Sequence, residues 1–123
     1  MNAELIRTFY FEAAHTLPGA PNGHKCRRFH GHSYQVDIHV AGKVDERAGW
    51  VMDFGIIKKA VEPAVAELDH RCLNDIEGLE NSTSEMIAKW LWDRIAPALP
   101  GLTAVVVWES RTSRCVYRGD NRG

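Results

Sequence analysis

Residues 26–40 read CRRFHGHSYQVDIHV, and the second half of this stretch decides the fold. Its apolar and polar residues alternate, which is the period of a β-strand with one buried face. Side chains two apart in a strand point to the same side of the sheet. If the strand reaches back to residue 30, His30 and His32 stand side by side, and two imidazoles so placed can share a metal ion. Gly31 between them leaves room for another group to approach.

The bulk composition is that of an ordinary globular domain. The chain has 123 residues, and we expect a single domain over residues 1–123. With 15 basic and 16 acidic residues the net charge is -1, so we expect neither nucleic acid nor a membrane as a partner. We also expect no secretory signal and no membrane span. The cysteines, Cys26, Cys72 and Cys115, form no CxxC pair, which favours a reducing cytoplasm over a disulfide framework.

Period-two alternation predicts four strands. Residues 5–15 predict the first strand, with His15 at its end, and residues 32–44 predict the second. The last two strands are predicted in LTAVVVWES (102–110) and RCVYRG (114–119), around a short turn.

Helical spacing of apolar residues predicts two helices between these strand pairs. The first follows Asp53 as its N-cap and contains Pro63, which should kink the helix or cost it stability. The second begins at the capping-box sequence STSE, with Ser82 as the cap and Glu85 reaching back. The order ββααββ predicts an α+β fold with a four-stranded, mainly antiparallel sheet and two helices on one face. Such a sheet leaves edges and a face to cover, which invites oligomerisation.

Three histidines are candidate metal ligands. Adjacent antiparallel strands joined by a loop can bring His15 next to His30 and His32. Three histidines with an open position describe catalytic zinc, because structural zinc sites usually close with four protein ligands. Ordinary surface or hydrogen-bonded histidines are the alternative interpretation. The nearby Cys26 would be more useful as a reactive group than as a fourth metal ligand.

The surroundings of Cys26 suit a reactive thiol. It is flanked by Lys25, Arg27 and Arg28, and nearby cations favour the thiolate, which is the nucleophilic form. The alternative is an unreactive loop cysteine.

Two further sets of polar residues are candidates for the site, one just beyond the first helix and one near the end of the third predicted strand. Asp69 and His70 are adjacent, and a carboxylate that orients an imidazole is a recurring arrangement for proton transfer. They can cooperate only if the helix has ended there or if both reach toward a third group. The alternative is a histidine favoured by the helix dipole. Glu109 follows an apolar strand face, where it could receive the N–H donors of a flat heterocycle or be merely exposed.

Taken together, these residues resemble the 6-pyruvoyl-tetrahydropterin synthase family over nearly the whole chain. The resemblance rests on an ordered set of motifs, which is far more specific than any one of them. These motifs are FEAAHTLP, CRRFHGHSY, GWVMDF, LDHRCLND, LENSTSE, VWES and CVYRG.

The resemblance implies roles for nine residues. They are the zinc ligands His15, His30 and His32; the catalytic Cys26 with its proton-relay partners Asp69 and His70; and the pterin-binding residues Glu109, Thr83 and Ser84.

The resemblance also implies the tunnelling fold, in which trimers close their sheets into a barrel and two trimers stack into a hexamer. Active sites in that family lie between subunits, so Asp69 and His70 of a neighbouring chain could reach Cys26.

Within the family, the short C-x3-HGH spacing resembles the queuosine-pathway branch. That branch implies a lyase that converts 7,8-dihydroneopterin triphosphate into 6-carboxy-5,6,7,8-tetrahydropterin, acetaldehyde and triphosphate. From charge alone, we expect Lys25, Arg27 and Arg28 to receive the triphosphate. The alternatives are a 6-pyruvoyl-tetrahydropterin synthase, a non-catalytic zinc-binding oligomer, and a three-histidine zinc hydrolase that would not need Cys26.

Overall fold

Residues 1–120, which the computed structural model describes, form five strands and two α-helices. The strands are β1 (Asn2–His15), β2 (His30–Lys43), β3 (Arg71–Cys72), β4 (Leu102–Trp108) and β5 (Arg114–Tyr117), and the helices are α1 (Phe54–Leu68) and α2 (Ser84–Ile95). Short 3-10 helices lie at Lys25–Arg27, Leu73–Asp75 and Ala96–Ala98. Over the same described residues, no helix is both long and apolar enough to cross a lipid bilayer.

The sheet is mixed, with strand order β3-β1-β2-β4-β5. The α+β class is confirmed, but the predicted four-stranded antiparallel sheet is wrong in one respect, because β3 adds a fifth strand parallel to β1. This strand has only two residues, which is too short to carry a period-two pattern. It forms where the chain returns from α1 to the free edge of β1.

The β1–β2 hairpin is the longest pairing in the sheet and fixes the positions of the three histidines. Strand β2 begins at His30, so the strand does reach back through the HGH motif. In the antiparallel register His15 pairs with His30, and Ala13 pairs with His32. Directly paired residues share a sheet face, and so do residues two apart, so all three imidazoles leave the same face at one end of the hairpin.

The core lies between that face of the sheet and the two helices, as the sequence predicts. The sheet side includes Phe11 stacked on Tyr34, with ring centroids 4.7 Å apart. Fully buried residues from the helices, among them Ile57, Leu68 and Leu91, face it. Burying each such side chain contributes about 1.5–3 kcal/mol, and this packing supports the face of the hairpin that carries the histidines.

The two helix starts differ in how well the sequence predicts them. Asp53 caps α1 as predicted, and its Oδ1 accepts from the N–H of Gly55 at 2.9 Å. The helix then continues through Pro63 to Leu68. The predicted cap of α2 is wrong by one residue, because Thr83, not Ser82, accepts from the N–H of Met86.

Candidate active site

Four side chains converge at the end of the β1–β2 hairpin and are called here the histidine cluster: His15, His30, His32 and Glu109. One nitrogen of each imidazole and one carboxylate oxygen all lie within 4.8 Å of one another. The ring centroid of His15 lies 4.7 Å from that of His30 and 5.3 Å from that of His32. The hairpin register brings the histidines together, and the end of β4 adds the acid.

His15 is fully buried and held from behind by Ser82. Its Nδ1 lies 2.9 Å from the backbone carbonyl oxygen of Ser82 and 3.0 Å from the Ser82 hydroxyl. A carbonyl oxygen can only accept, so we assign the ring proton to Nδ1. Nε2 then carries the lone pair and faces the cluster, with the Tyr34 hydroxyl 3.4 Å away.

His30 is oriented in the same way by a different carbonyl. Its Nδ1 donates to the backbone oxygen of Arg28 at 2.7 Å. Nε2 is again the nitrogen left with a lone pair. Metal-binding histidines almost always donate their second N–H to such an acceptor, which fixes the tautomer and the ring orientation.

The surroundings of His32 are the strongest indication that the histidine cluster binds a cation. Its Nε2 is buried and lies 3.0 Å from Oε1 of Glu109, yet the pair lacks the geometry of a hydrogen bond, and no other partner occurs among the described residues. A buried polar atom without a partner is costly. A metal ion bound by this nitrogen would give it a partner, and the charge of the ion would favour the nearby carboxylate, so the residues fit a metal ion.

The electrostatics of the cluster favour neutral imidazoles. Burial, followed by the proximity of His30 and His32, lowers the pKa of His15. Burial also lowers the pKa of His32, and this outweighs the opposing effect of the nearby Glu109 carboxylate. Neutral imidazole is the form that ligates metals, so the protein environment prepares these rings for a metal.

Glu109 follows β4 directly and sits closer to the histidines than the sequence indicates. Its Oε1 lies 3.9 Å from Nε2 of His15 as well as near His32. Its Oε2 accepts from the Ser84 hydroxyl at 3.4 Å. The side chain is about one-third exposed, so it bridges the cluster and the solvent-facing groove beside α2.

Asp69 and His70 lie just beyond α1, which ends at Leu68. The helix has therefore ended before the pair, which is one of the two conditions that allow them to cooperate, and Nδ1 of His70 lies 3.0 Å from Oδ1 of Asp69. Both are tied to one residue of β1: the N–H of Glu12 donates to the Asp69 carboxylate, and the N–H of His70 donates to the Glu12 carbonyl. The Glu12 N–H, with His70, holds the pKa of Asp69 below its usual value.

The backbone of His70 is unusual. Its φ is +59°, in the left-handed region, and it is the one non-glycine residue with positive φ among the residues described. Its side chain is largely exposed. A groove of about 440 Å³ has both His32 and His70 in its wall, together with Phe29 and Gly31. One member of the histidine cluster and one member of the Asp69–His70 pair therefore share a groove within a single chain.

Cys26 lies in the 3-10 helix Lys25–Arg27 and is partly exposed. The imidazole of His24 caps this helix, accepting from the Cys26 N–H at 3.0 Å. The Cys26 carbonyl accepts from the N–H of Leu17 at 2.8 Å. The thiol is thus carried on a short turn that is tied to the segment directly after His15.

Sequence reasoning missed two residues that support the site. Ser82 was predicted to be a helix cap but instead holds His15, while Thr83 takes the cap. Asn74 clamps the chain after His15: its side chain accepts from the Thr16 N–H and donates to the Thr16 carbonyl, both at 2.9 Å. The LENSTSE motif offers two adjacent residues that could cap, but no local pattern indicates contacts with residues so far away along the chain.

Comparison with known proteins places these features in a family. The profile of the 6-pyruvoyl tetrahydropterin synthase family matches residues 4–120. A 6-carboxy-5,6,7,8-tetrahydropterin synthase from Synechocystis is 43% identical over 92% of this chain and 91% of its own. A dihydroneopterin monophosphate aldolase from Pyrococcus furiosus is 39% identical over 89% and 91%. The structure of Caenorhabditis elegans 6-pyruvoyl tetrahydropterin synthase matches with a TM-score of 0.89 and 26% identity, over 98% and 97% of the two chains.

Proposed function

The chain belongs to the 6-pyruvoyl tetrahydropterin synthase family, and on this premise we propose that it is a zinc-dependent carbon–carbon lyase. Its substrate would be 7,8-dihydroneopterin triphosphate. With one water consumed, the products would be 6-carboxy-5,6,7,8-tetrahydropterin, acetaldehyde and triphosphate, as a step of queuosine biosynthesis. The relatives that carry the 6-carboxy-5,6,7,8-tetrahydropterin synthase name support this choice.

The observation that carries the proposal is the shared orientation of the histidines. His15 and His30 each donate Nδ1–H to a carbonyl, which leaves Nε2 lone pairs beside the unpartnered Nε2 of His32. A zinc ion held by these three residues would act as a Lewis acid toward the hydroxyl groups of the substrate side chain. The HGH motif thus serves as the metal-binding element.

Cys26 and the Asp69–His70 pair would carry the proton transfers. The Cys26 thiolate would remove the proton from the substrate carbon next to a side-chain hydroxyl. His70, oriented by Asp69 at 3.0 Å, would move protons as the side chain tautomerises and the ring becomes reduced. The electrons move within the substrate, so no external redox cofactor is required.

Glu109, Thr83 and Ser84 would hold the pterin ring. The Glu109 carboxylate is an acceptor suited to the N–H donors of the heterocycle, and its contact with Ser84 directs one oxygen toward α2. Thr83 starts that helix. Among the predicted triphosphate-binding residues, Lys25 and Arg28 keep that role, while the contacts of Arg27 point elsewhere.

Two related reactions are the principal alternatives. The C. elegans neighbour is a 6-pyruvoyl tetrahydropterin synthase, and the same scaffold would then release no acetaldehyde. The P. furiosus relative is a dihydroneopterin monophosphate aldolase. If this chain followed that relative, its substrate would carry one phosphate. The C-x3-HGH spacing sets the position of the thiol relative to the histidines and favours the 6-carboxy product over the 6-pyruvoyl product.

The deciding experiment gives zinc-loaded protein 7,8-dihydroneopterin triphosphate and, in a separate reaction, 7,8-dihydroneopterin monophosphate. It traps the aldehydes and identifies the pterin by mass, with Cys26→Ala beside it. Acetaldehyde and a carboxypterin, both lost in the variant, are expected. A pyruvoyl-pterin without acetaldehyde would instead support the first alternative. Turnover of the monophosphate only would support the second, and zinc binding without any turnover would support a non-catalytic zinc-binding oligomer. Turnover that survives loss of the thiol would support a zinc hydrolase.

We further propose a single domain over residues 1–123 that assembles as a homohexamer, a dimer of trimers, in the cytoplasm. Exposed apolar residues such as Ile6 and Tyr10, which are 50% and 70% exposed on β1, are the kind of surface that a neighbouring subunit would cover. The free cysteines are compatible with a reducing compartment. Sedimentation and cell fractionation test these two points, and a monomer or a secreted product would contradict them.

A further inference from the structure

Two loops meet beside the histidine cluster, and three hydrogen bonds join them. The first loop, residues 17–20, follows β1, and the second, residues 24–28, carries the thiol. The main chain supplies one bond, from the Leu17 N–H to the Cys26 carbonyl at 2.8 Å. The side chain of Arg27 supplies the other two.

Arg27 directs one end of its guanidinium at two backbone carbonyls of the first loop. Its Nη1 donates to the oxygen of Pro18 at 2.7 Å and to that of Ala20 at 2.9 Å. Nη1 carries two hydrogens, so each carbonyl receives one. Hydrogen bonds from a charged donor are stronger than neutral ones, so one side chain makes the larger part of this connection.

The first loop is itself fixed to the cluster. It begins two residues after His15, and the intervening Thr16 is clamped by the Asn74 side chain through two hydrogen bonds of 2.9 Å. The second loop is fixed at its other end, where the Arg28 carbonyl accepts from His30. A connection between the two loops therefore sets the position of Cys26 relative to the histidine rings.

We propose that Arg27 is a positioning residue for Cys26, a role that rests on the proposed function of the thiol. Charge alone predicts that Arg27 binds the triphosphate together with Lys25 and Arg28. The geometry points instead to an internal connection, since Nη1 donates both of its hydrogens to this chain. Nε and Nη2 keep three hydrogens, so the response of KM to substitution decides whether phosphate uses them. A misplacement of about 1 Å at a reacting group can cost a hundredfold in rate, so a side chain that touches no substrate can control turnover.

The test compares Arg27→Met, which keeps the aliphatic stem, with Arg47→Met as a matched control. Arg47 is also exposed, and it lies in the loop between β2 and α1, away from the cluster. Hydrogen exchange followed by mass spectrometry reads the first loop directly. We expect the Leu17 and Ala20 amides to exchange about tenfold faster in Arg27→Met, and at the wild-type rate in the control.

Kinetics distinguish positioning from phosphate binding. Arg27→Met should lower kcat by about tenfold to a hundredfold with little change in KM, and Arg27→Lys, which keeps the charge and donor hydrogens, should recover part of it. Unchanged exchange and kcat would overturn the proposal, as would a rise in KM alone, which indicates a phosphate ligand. If the wild type itself does not turn over, the proposed function fails, while the exchange result still decides whether Arg27 connects the loops.

Discussion

His70 combines a proposed chemical role with a strained backbone, and substitutions there should separate the two. At φ +59° an L-residue with a side chain pays about 1–2 kcal/mol relative to the right-handed region, and glycine does not. The Nδ1 contact with Asp69 is exposed and worth less than about 1 kcal/mol. Removing the imidazole should therefore cost little stability. Removing the Cβ as well should stabilise the fold, because glycine adopts this backbone conformation without strain.

We expect His70→Ala and His70→Gly to lose kcat alike, by at least a hundredfold, because both lack the proton-transfer group. His70→Gly should nevertheless be the more stable of the two by about 1 kcal/mol, or about 4 °C in Tm for a domain of this size. Asparagine tolerates the left-handed region, so His70→Asn should also be more stable than the alanine variant.

Urea unfolding and thermal melts measure stability, and product formation measures kcat. Equal stability of the alanine and glycine variants would refute the strain argument. Undiminished kcat in both would refute the proton-transfer role. Because the two readouts are independent, either part of the reasoning can fail alone.

Three further outcomes follow from the site. Burial lowers the pKa values of His15 and His32 in the folded state, so the unfolded state binds more protons as the pH falls. The metal-free protein should therefore keep its stability above about pH 6.5 and lose it below that pH. A flat profile of unfolding free energy against pH would contradict this. Because Glu109 is proposed to hold the pterin, Glu109→Gln should lower kcat/KM by about tenfold to a hundredfold. Weaker zinc binding by this variant, measured by competition with a chelator, would instead show that Glu109 is a zinc ligand. Thr83→Ala should cost about 1 kcal/mol in urea unfolding as a lost cap, with Thr83→Ser near wild type; equal losses would show that the methyl group, not the hydroxyl, matters.

Local patterns predict the part of the fold that is built from long periodic elements. The alternation in β1 and β2, with the loop that joins them, predicts an antiparallel pair with the histidines on one face. The register that places His15 opposite His30 is given by the structure. Strand β3 could not be predicted, because its two residues pair with β1 only after α1 has returned the chain to that edge.

The site itself was predictable where it depends on strand parity and not where it depends on contacts across the fold. Ser82 and Thr83 are equally good caps by sequence, and the buried His15 decides between them by taking Ser82 as its partner. Glu109 was expected to face a heterocycle, but its closeness to His32 depends on the way β4 ends beside β2. The charge of Arg27 predicts a phosphate contact, whereas the direction of its Nη1 toward the carbonyls of Pro18 and Ala20 is visible only in the structure.

The most direct test of the account titrates zinc into metal-free protein while acetaldehyde and carboxypterin are measured. Product formation should rise in proportion to the added metal and stop at a single equivalent per chain, and His30→Ala should show no such rise. Full turnover in the absence of metal, or wild-type turnover by His30→Ala, would contradict the claim that the histidine cluster is the metal centre of a lyase.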